Sequence, residues 1–252
     1  MSKKKKKEVK EENLFISTQK EAQTPQLLNI NSDKIEFKVE DQFKCPIYIS
    51  HKPEWVEPLN KASDPIIKKL RANWQKKIDD PNDEATAMPN SLHSELLWVY
   101  PEFKEIAQTI LQQGWNILSW QGYDLTGRIP MLTELWVQEF PKEGGFHDIH
   151  EHGNNHISGF YFLKCNEKTS HPVFWDPRPG KKMTDLRMKD QKKLNYGSQQ
   201  IHYKVKPGQF IFFNSYMPHS YVHHKGNEKF RFIHFNMQVV IDPNLATNKN
   251  DK

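Results

Sequence analysis

Cysteine is scarce. The two thiols in 252 residues, Cys45 and Cys165, lie far apart with no CxxC and no second pair, so the chain does not read as a disulfide framework. Long apolar runs are missing as well. No stretch approaches the roughly 18 residues of a membrane span, and the lysine-rich start lacks the apolar segment of a signal peptide. The expectation is a cytoplasmic protein in a reducing compartment, without a membrane partner. Net charge is small: 36 Lys and Arg against 31 Asp and Glu give +5, which the run Lys3 to Lys7 would account for alone. The body is then near neutral and shows no basic-aromatic stripe. The lysine run therefore reads as a solvated tail rather than a nucleic-acid contact.

Residues 1–40 mix Lys, Glu, Gln, Asn and Ser with few large apolar groups, too few to offset their ordering entropy. They are predicted to form a disordered tail, and 242–252, with Asn244, Asn248, Asn250 and Lys252, a second. The intervening 41–241 is the size of one domain, and no internal repeat divides it.

Within that domain the periodicity changes once. Ser63-Asp64-Pro65 reads as a helix start, followed by Ile66, Ile67, Leu70 and Trp74 at helical spacing. Pro101 opens a second helix with Phe103, Ile106, Ala107, Ile110 and Leu111 on one face and Gly114 as its stop. Beyond it the pattern has period two. Strands are predicted at Leu132–Phe140, Asp148–His152, Ser158–Leu163, Val173–Trp175, Ile201–Val205, Gln209–Phe213 and Phe230–Val240. Helices followed by many short strands predict a mainly β fold with flanking helices, a jelly roll or sandwich.

The segment Phe146-His147-Asp148-Ile149-His150-Glu151-His152-Gly153 carries the most chemistry. On a regular strand Asp148, His150 and His152 share one face, while His147, Ile149 and Glu151 share the other. Two imidazoles at i and i+2 leave a sheet in parallel, as a facial metal site requires, and a third ligand must come from elsewhere. His219, His223, His224 and His234 are candidates. His219, just beyond the apolar run Phe210 to Phe213, is the best placed. Arg231 follows on the next strand, where a guanidinium turned into a barrel needs an anionic partner. HxH, or an arginine, has an ordinary surface reading when met alone. The order of HxH, Pro207-Gly208, aromatic strand, Pro218-His219 and Arg231 points to a site.

At these residues the chain resembles the 2-oxoglutarate/Fe(II) oxygenase superfamily, and within it a group with HxH in place of HxD. The resemblance is carried by His150-Glu151-His152, Ser158 to Leu163, Phe174-Trp175-Asp176-Pro177-Arg178, Pro207-Gly208-Gln209-Phe210, Pro218-His219, and Arg231 with Phe235-Asn236. A weaker echo begins at Phe43, so it spans about residues 42 to 240. It implies a double-stranded β-helix, the cupin-like jelly roll. It also implies Fe(II) held by His150, His152 and His219, 2-oxoglutarate gripped by Arg231 with Tyr161 lining its pocket, and O2-dependent hydroxylation of a small-molecule or peptide substrate. The wider superfamily mostly has a carboxylate where His152 stands, and Asp148 is an alternative ligand that would restore one. Two rival readings are a three-histidine dioxygenase of the cupin type that uses no 2-oxoglutarate, and a non-catalytic jelly-roll binding module. Arg178 and Trp136 are candidate substrate contacts, against their ordinary reading as turn and core residues. The basic segment from Gly180 to Gln200 is long enough to be a lid or an insertion.

Overall fold

The computed structural model describes residues 42–247 except 143, 184, 185, 187, 189 and 191. The predicted tail at 1–40 and the end of the chain from 248 lie outside the described residues. The chain divides into two units, 1–44 and 45–252, and all elements named below belong to the second.

Among the described residues ten strands form two antiparallel sheets. They are β1 (Ile47–His51), β2 (Leu92–His93), β3 (Arg128–Phe140), β4 (His147–His150), β5 (Ile157–Lys164), β6 (Pro172–Trp175), β7 (Gln200–His202), β8 (Gln209–Asn214), β9 (His219–Tyr221) and β10 (Phe230–Ile241). One sheet has the order β1-β8-β5-β10-β3-β2 and the other β4-β9-β6-β7. From β3 to β10 the chain passes repeatedly between the sheets, leaving β3, β10, β5 and β8 facing β4, β9, β6 and β7. This is the double-stranded β-helix, a jelly roll. Among the described residues no helix is long and apolar enough to cross a membrane.

Both faces of the larger sheet are buried, and the side-chain alternation of its strands divides them. Leu135, Val137, Tyr161, Ile233, Phe235 and Met237 turn outward to the helices α1 (Val56–Asp79) and α2 (Lys104–Trp120). Phe140, Phe160, Phe162, Phe213, Phe230 and Phe232 turn inward, where they meet Phe174 and Tyr221 of the smaller sheet. The register fixes this division. Ile233 pairs with Val137 and Tyr161, whereas Phe232 pairs with Gln138 and Phe162.

Both helices and the end of the domain depart from their predicted boundaries. The first helix starts at Val56 and carries Pro65 inside it, because Leu59, a turn before Ser63, is already buried against the core. The second passes through Gly114 to Trp120. Gly114 packs against Met237, whose Sδ would lie 2.6 Å from an added Cβ, so this glycine serves close approach of helix to sheet. The helix ends instead near Gly122, at φ +89°, where Tyr123 N–H donates to the Leu118 carbonyl at 3.2 Å. Past β10, Pro243–Thr247 forms a short helix, α3.

Candidate metal centre

β4 and β9 are neighbours in the smaller sheet, and their register sets His150 directly opposite His219. His152 follows the end of β4, where its backbone N–H donates to the Ser215 carbonyl at 3.1 Å and pins it to the turn after β8. Ring centroids lie 4.3 Å apart for His150 and His219, and 5.1 Å apart for His152 with either one. One ring nitrogen from each residue lies within 4.8 Å of the others.

Main-chain carbonyls set the tautomers of two of these rings. His150 Nδ1 sits 2.7 Å from the Asp148 carbonyl, and His219 Nδ1 sits 3.0 Å from that of Met217. A carbonyl oxygen only accepts, so each Nδ1 carries the proton and each Nε2 presents a lone pair. Nε2 of both His152 and His219 is buried without a protein partner. An unsatisfied buried polar atom costs about 1–3 kcal/mol, so a cluster of them indicates a missing partner. Burial pushes His152 down to about 3, assisted by repulsion from His234 and His150, and holds His219 well below the usual imidazole range. Three converging imidazole nitrogens fit a divalent transition metal, Fe(II) included.

A second group abuts the first. Glu134, His152 and His234 also bring ligating atoms within 4.8 Å of one another. His234 is buried on β10 and stacks on Trp136 at 5.0 Å, while Asn236 Nδ2 donates to Glu134 Oε2. His147 lies 5.6 Å from His150, stacks on His93 and is held 2.6 Å from Gln138 Nε2. Burial, with His93 and His150 adding repulsion, pushes His147 down to about 3. Sequence reasoning weighed His234 only as a rival to His219 and gave Glu134 and Gln138 no role. Their signal was parity, since Glu134, Trp136 and Gln138 alternate along β3.

The structure corrects two parts of the expected site. Asp148 does not join the imidazoles: its side chain is exposed, and only its carbonyl serves them. The register of β4 shifts between His147 and His150, so strict alternation fails and His147, not Asp148, turns towards His150. Arg231 and Tyr161, expected to hold 2-oxoglutarate, lie on the outward face of the larger sheet. Positions 231 and 234 on β10 have opposite parity, so a strand that turns His234 towards the site turns Arg231 away. Arg231 Nη2 lies 2.6 Å from Glu139 Oε2 and Nη1 lies 2.7 Å from Asp64 Oδ1, between β10 and α1. Tyr161 donates its hydroxyl to the Lys52 carbonyl at 2.6 Å. Of the two substrate candidates, Trp136 stands beside the site, with a buried Nε1–H that has no partner. Arg178 stands in the exposed turn after β6, paired to Asp176 through Nε at 2.9 Å and Nη2 at 2.6 Å. The described part of the 180–200 segment borders a cavity of about 660 Å³ lined by Trp175, Leu194, Ile201 and His202 among others.

Comparison with known proteins agrees with the fold and touches the site. A family model described as "Putative 2OG-Fe(II) oxygenase" matches residues 134–236. The likeness is to the 2-oxoglutarate/Fe(II) oxygenases. The match covers less than half of the chain but includes every histidine of both groups. No curated protein matches. Among solved structures, AviO1 from Streptomyces viridochromogenes Tue57 aligns at TM-score 0.52 and 12% identity, over 79% of this chain and 90% of that one. A viral collagen prolyl hydroxylase from Paramecium Bursaria Chlorella virus-1 aligns at 0.47 and 13%, over 76% and 94%. An oxidoreductase of the 2OG-Fe(II) oxygenase family from Burkholderia pseudomallei aligns at 0.39 and 10%, over 55% and 59%. The alignment thus spans less than two thirds of that last protein.

Proposed function

We propose that this chain is a non-haem Fe(II)-dependent oxygenase, an oxidoreductase that uses O2 on a small-molecule or peptide substrate. The observation that carries the reading is the convergence of His150, His152 and His219 inside the jelly roll, with Nε2 of His152 and His219 buried without partners and the tautomers of His150 and His219 fixed by main-chain carbonyls. Bound Fe(II) would supply the redox chemistry with O2 that the protein's own groups lack. The polypeptide places the ligands and limits access of water. The rings of Phe160, Phe174 and Phe213 lie 4.8 to 6.1 Å from that of His219, edge-on or tilted, and close the site from behind. Trp136, His234 and Glu134 wall the other side, where a substrate can approach the ion. Cys45 and Cys165 are not joined in a disulfide, which is compatible with a reducing compartment such as the cytoplasm.

The reading is tested by anaerobic titration of the purified protein with Fe(II), followed by removal of unbound ion and measurement of metal content and of O2 consumption after aeration. About one ion per chain is expected, with binding and O2 consumption both lost in His219→Ala and His150→Ala. Binding that survives both substitutions would refute it.

A further inference from the structure

A cosubstrate such as 2-oxoglutarate makes two demands on a barrel beyond the metal. It needs an open channel leading from the ion, long enough for a five-carbon chain, and a cation or several donors at the far end for its second carboxylate. Both demands fall on the inward faces of β3, β5, β9 and β10.

The channel is filled. From His219 inward, Phe160 lies at 5.6 Å, Phe232 at 5.7 Å from Phe160, Tyr221 at 4.8 Å from Phe232, and Phe230 at 5.2 Å from Phe232. Phe140 closes the end, 5.4 Å from Phe230. These rings are at most 3% exposed and touch in sequence, so they leave no gap of that length behind the metal. The cation is absent from the interior too. Among the described residues Arg231 is the one buried guanidinium or ammonium, and Glu139, Asp64 and Asn60 take up its donors on the far side of the sheet. Inward positions of β10 on either side of it are Phe230 and Phe232. The Tyr221 hydroxyl, buried without a partner, is a neutral donor in this wall. The Gln138 amide on the same face is already engaged by Ser91 and His147, and one remaining phenol does not compensate the desolvation of a carboxylate.

We infer that this metal centre takes no 2-oxoglutarate, and that ligands reach the ion only from the side of Trp136, His234 and Glu134. The inference rests on the metal site proposed above and departs from the cosubstrate that the family likeness implies. It also explains why Arg231 can be spent on the junction between sheet and helix.

The test uses full-length wild-type protein loaded anaerobically with Fe(II), with Co(II) as a second spectroscopic probe. Millimolar 2-oxoglutarate is added while the visible spectrum and the metal affinity are followed. Expected are an unchanged spectrum, no charge-transfer band, and metal affinity within about twofold of that without the dicarboxylate. A charge-transfer band, or a metal affinity raised tenfold or more by 2-oxoglutarate, overturns the inference and leaves the metal site standing. Failure of the wild-type protein to bind either metal, or binding unchanged in a folded His219→Ala variant, overturns both.

Discussion

Arg231 and Glu139 stand opposite one another in the register of β10 and β3, and Nη2 of the first lies 2.6 Å from Oε2 of the second, with side chains 2% and 0% exposed. Asp64 reaches Arg231 from α1, and Arg71 and Lys229 reach Glu139 at 2.9 and 3.4 Å. The pair ties helix to sheet. Breaking a buried ion pair from one side typically costs about 3–5 kcal/mol, because it strands the remaining charge. Arg71 and Lys229 soften that cost here. Arg231→Met is expected to lose about 3 kcal/mol in urea unfolding while metal affinity at the histidines stays unchanged. An equal loss of metal affinity would place the guanidinium in the site instead.

Metal should stabilise the fold as well as bind to it. A ligand at a hundred times its Kd adds about 2.7 kcal/mol when it binds only the native state. Thermal melting of the wild-type chain is therefore expected to rise on adding Fe(II) or Zn(II) and to fall back with a chelator. The rise should vanish in His152→Ala and His219→Ala. A rise that persists in both would locate the ion elsewhere.

Acid should destabilise the metal-free protein. Burial first, then neighbouring imidazoles, push His147, His152 and His234 down to about 3 from an ordinary 6.5. Between those values the unfolded chain binds more protons than the native one, so stability falls as pH drops below about 6.5 and is level above it. Each such histidine contributes a slope of up to about 1.4 kcal/mol per pH unit within the window. Unfolding midpoints measured from pH 7.5 to 4.5 check this, and a flat profile would show that the imidazoles are solvated.

Gly159 on β5 faces outward beneath Phe235, and an added Cβ would strike that ring and the Ile211 carbonyl. The carbonyl is main chain in β8 and cannot turn aside. Gly159→Ala is expected to cost about 1–3 kcal/mol by overpacking. Measured stability within 0.5 kcal/mol of wild type, an arbitrary limit of about the size of a surface substitution, would show that the sheet yields there.

Much of this architecture was legible in the chain. Period-two runs marked most of the strands, and HxH with Pro218-His219 marked the three imidazoles that converge. Local irregularity hid Asp148, since a register shift reverses which residues of β4 share a face and nothing in its composition announces one. Parity hid Arg231 and Tyr161. Phe230, Phe232, Ile233 and Phe235 make both faces of β10 apolar, so alternation could not say which face looks inward when helices cover one side and a second sheet the other. Gly114 misled for a related reason, because a glycine that ends a helix and one that lets a strand approach look alike in sequence.

Asp148 and Met217 each hold an imidazole proton through the peptide carbonyl, which every amino acid carries. Mutational drift at either position can therefore change charge, bulk and polarity without flipping the ring it supports. Replacing Asp148 by Asn or Ala should leave the coordinating nitrogen of His150 as it is, so a survey of side chains alone would miss two of the groups on which the centre depends.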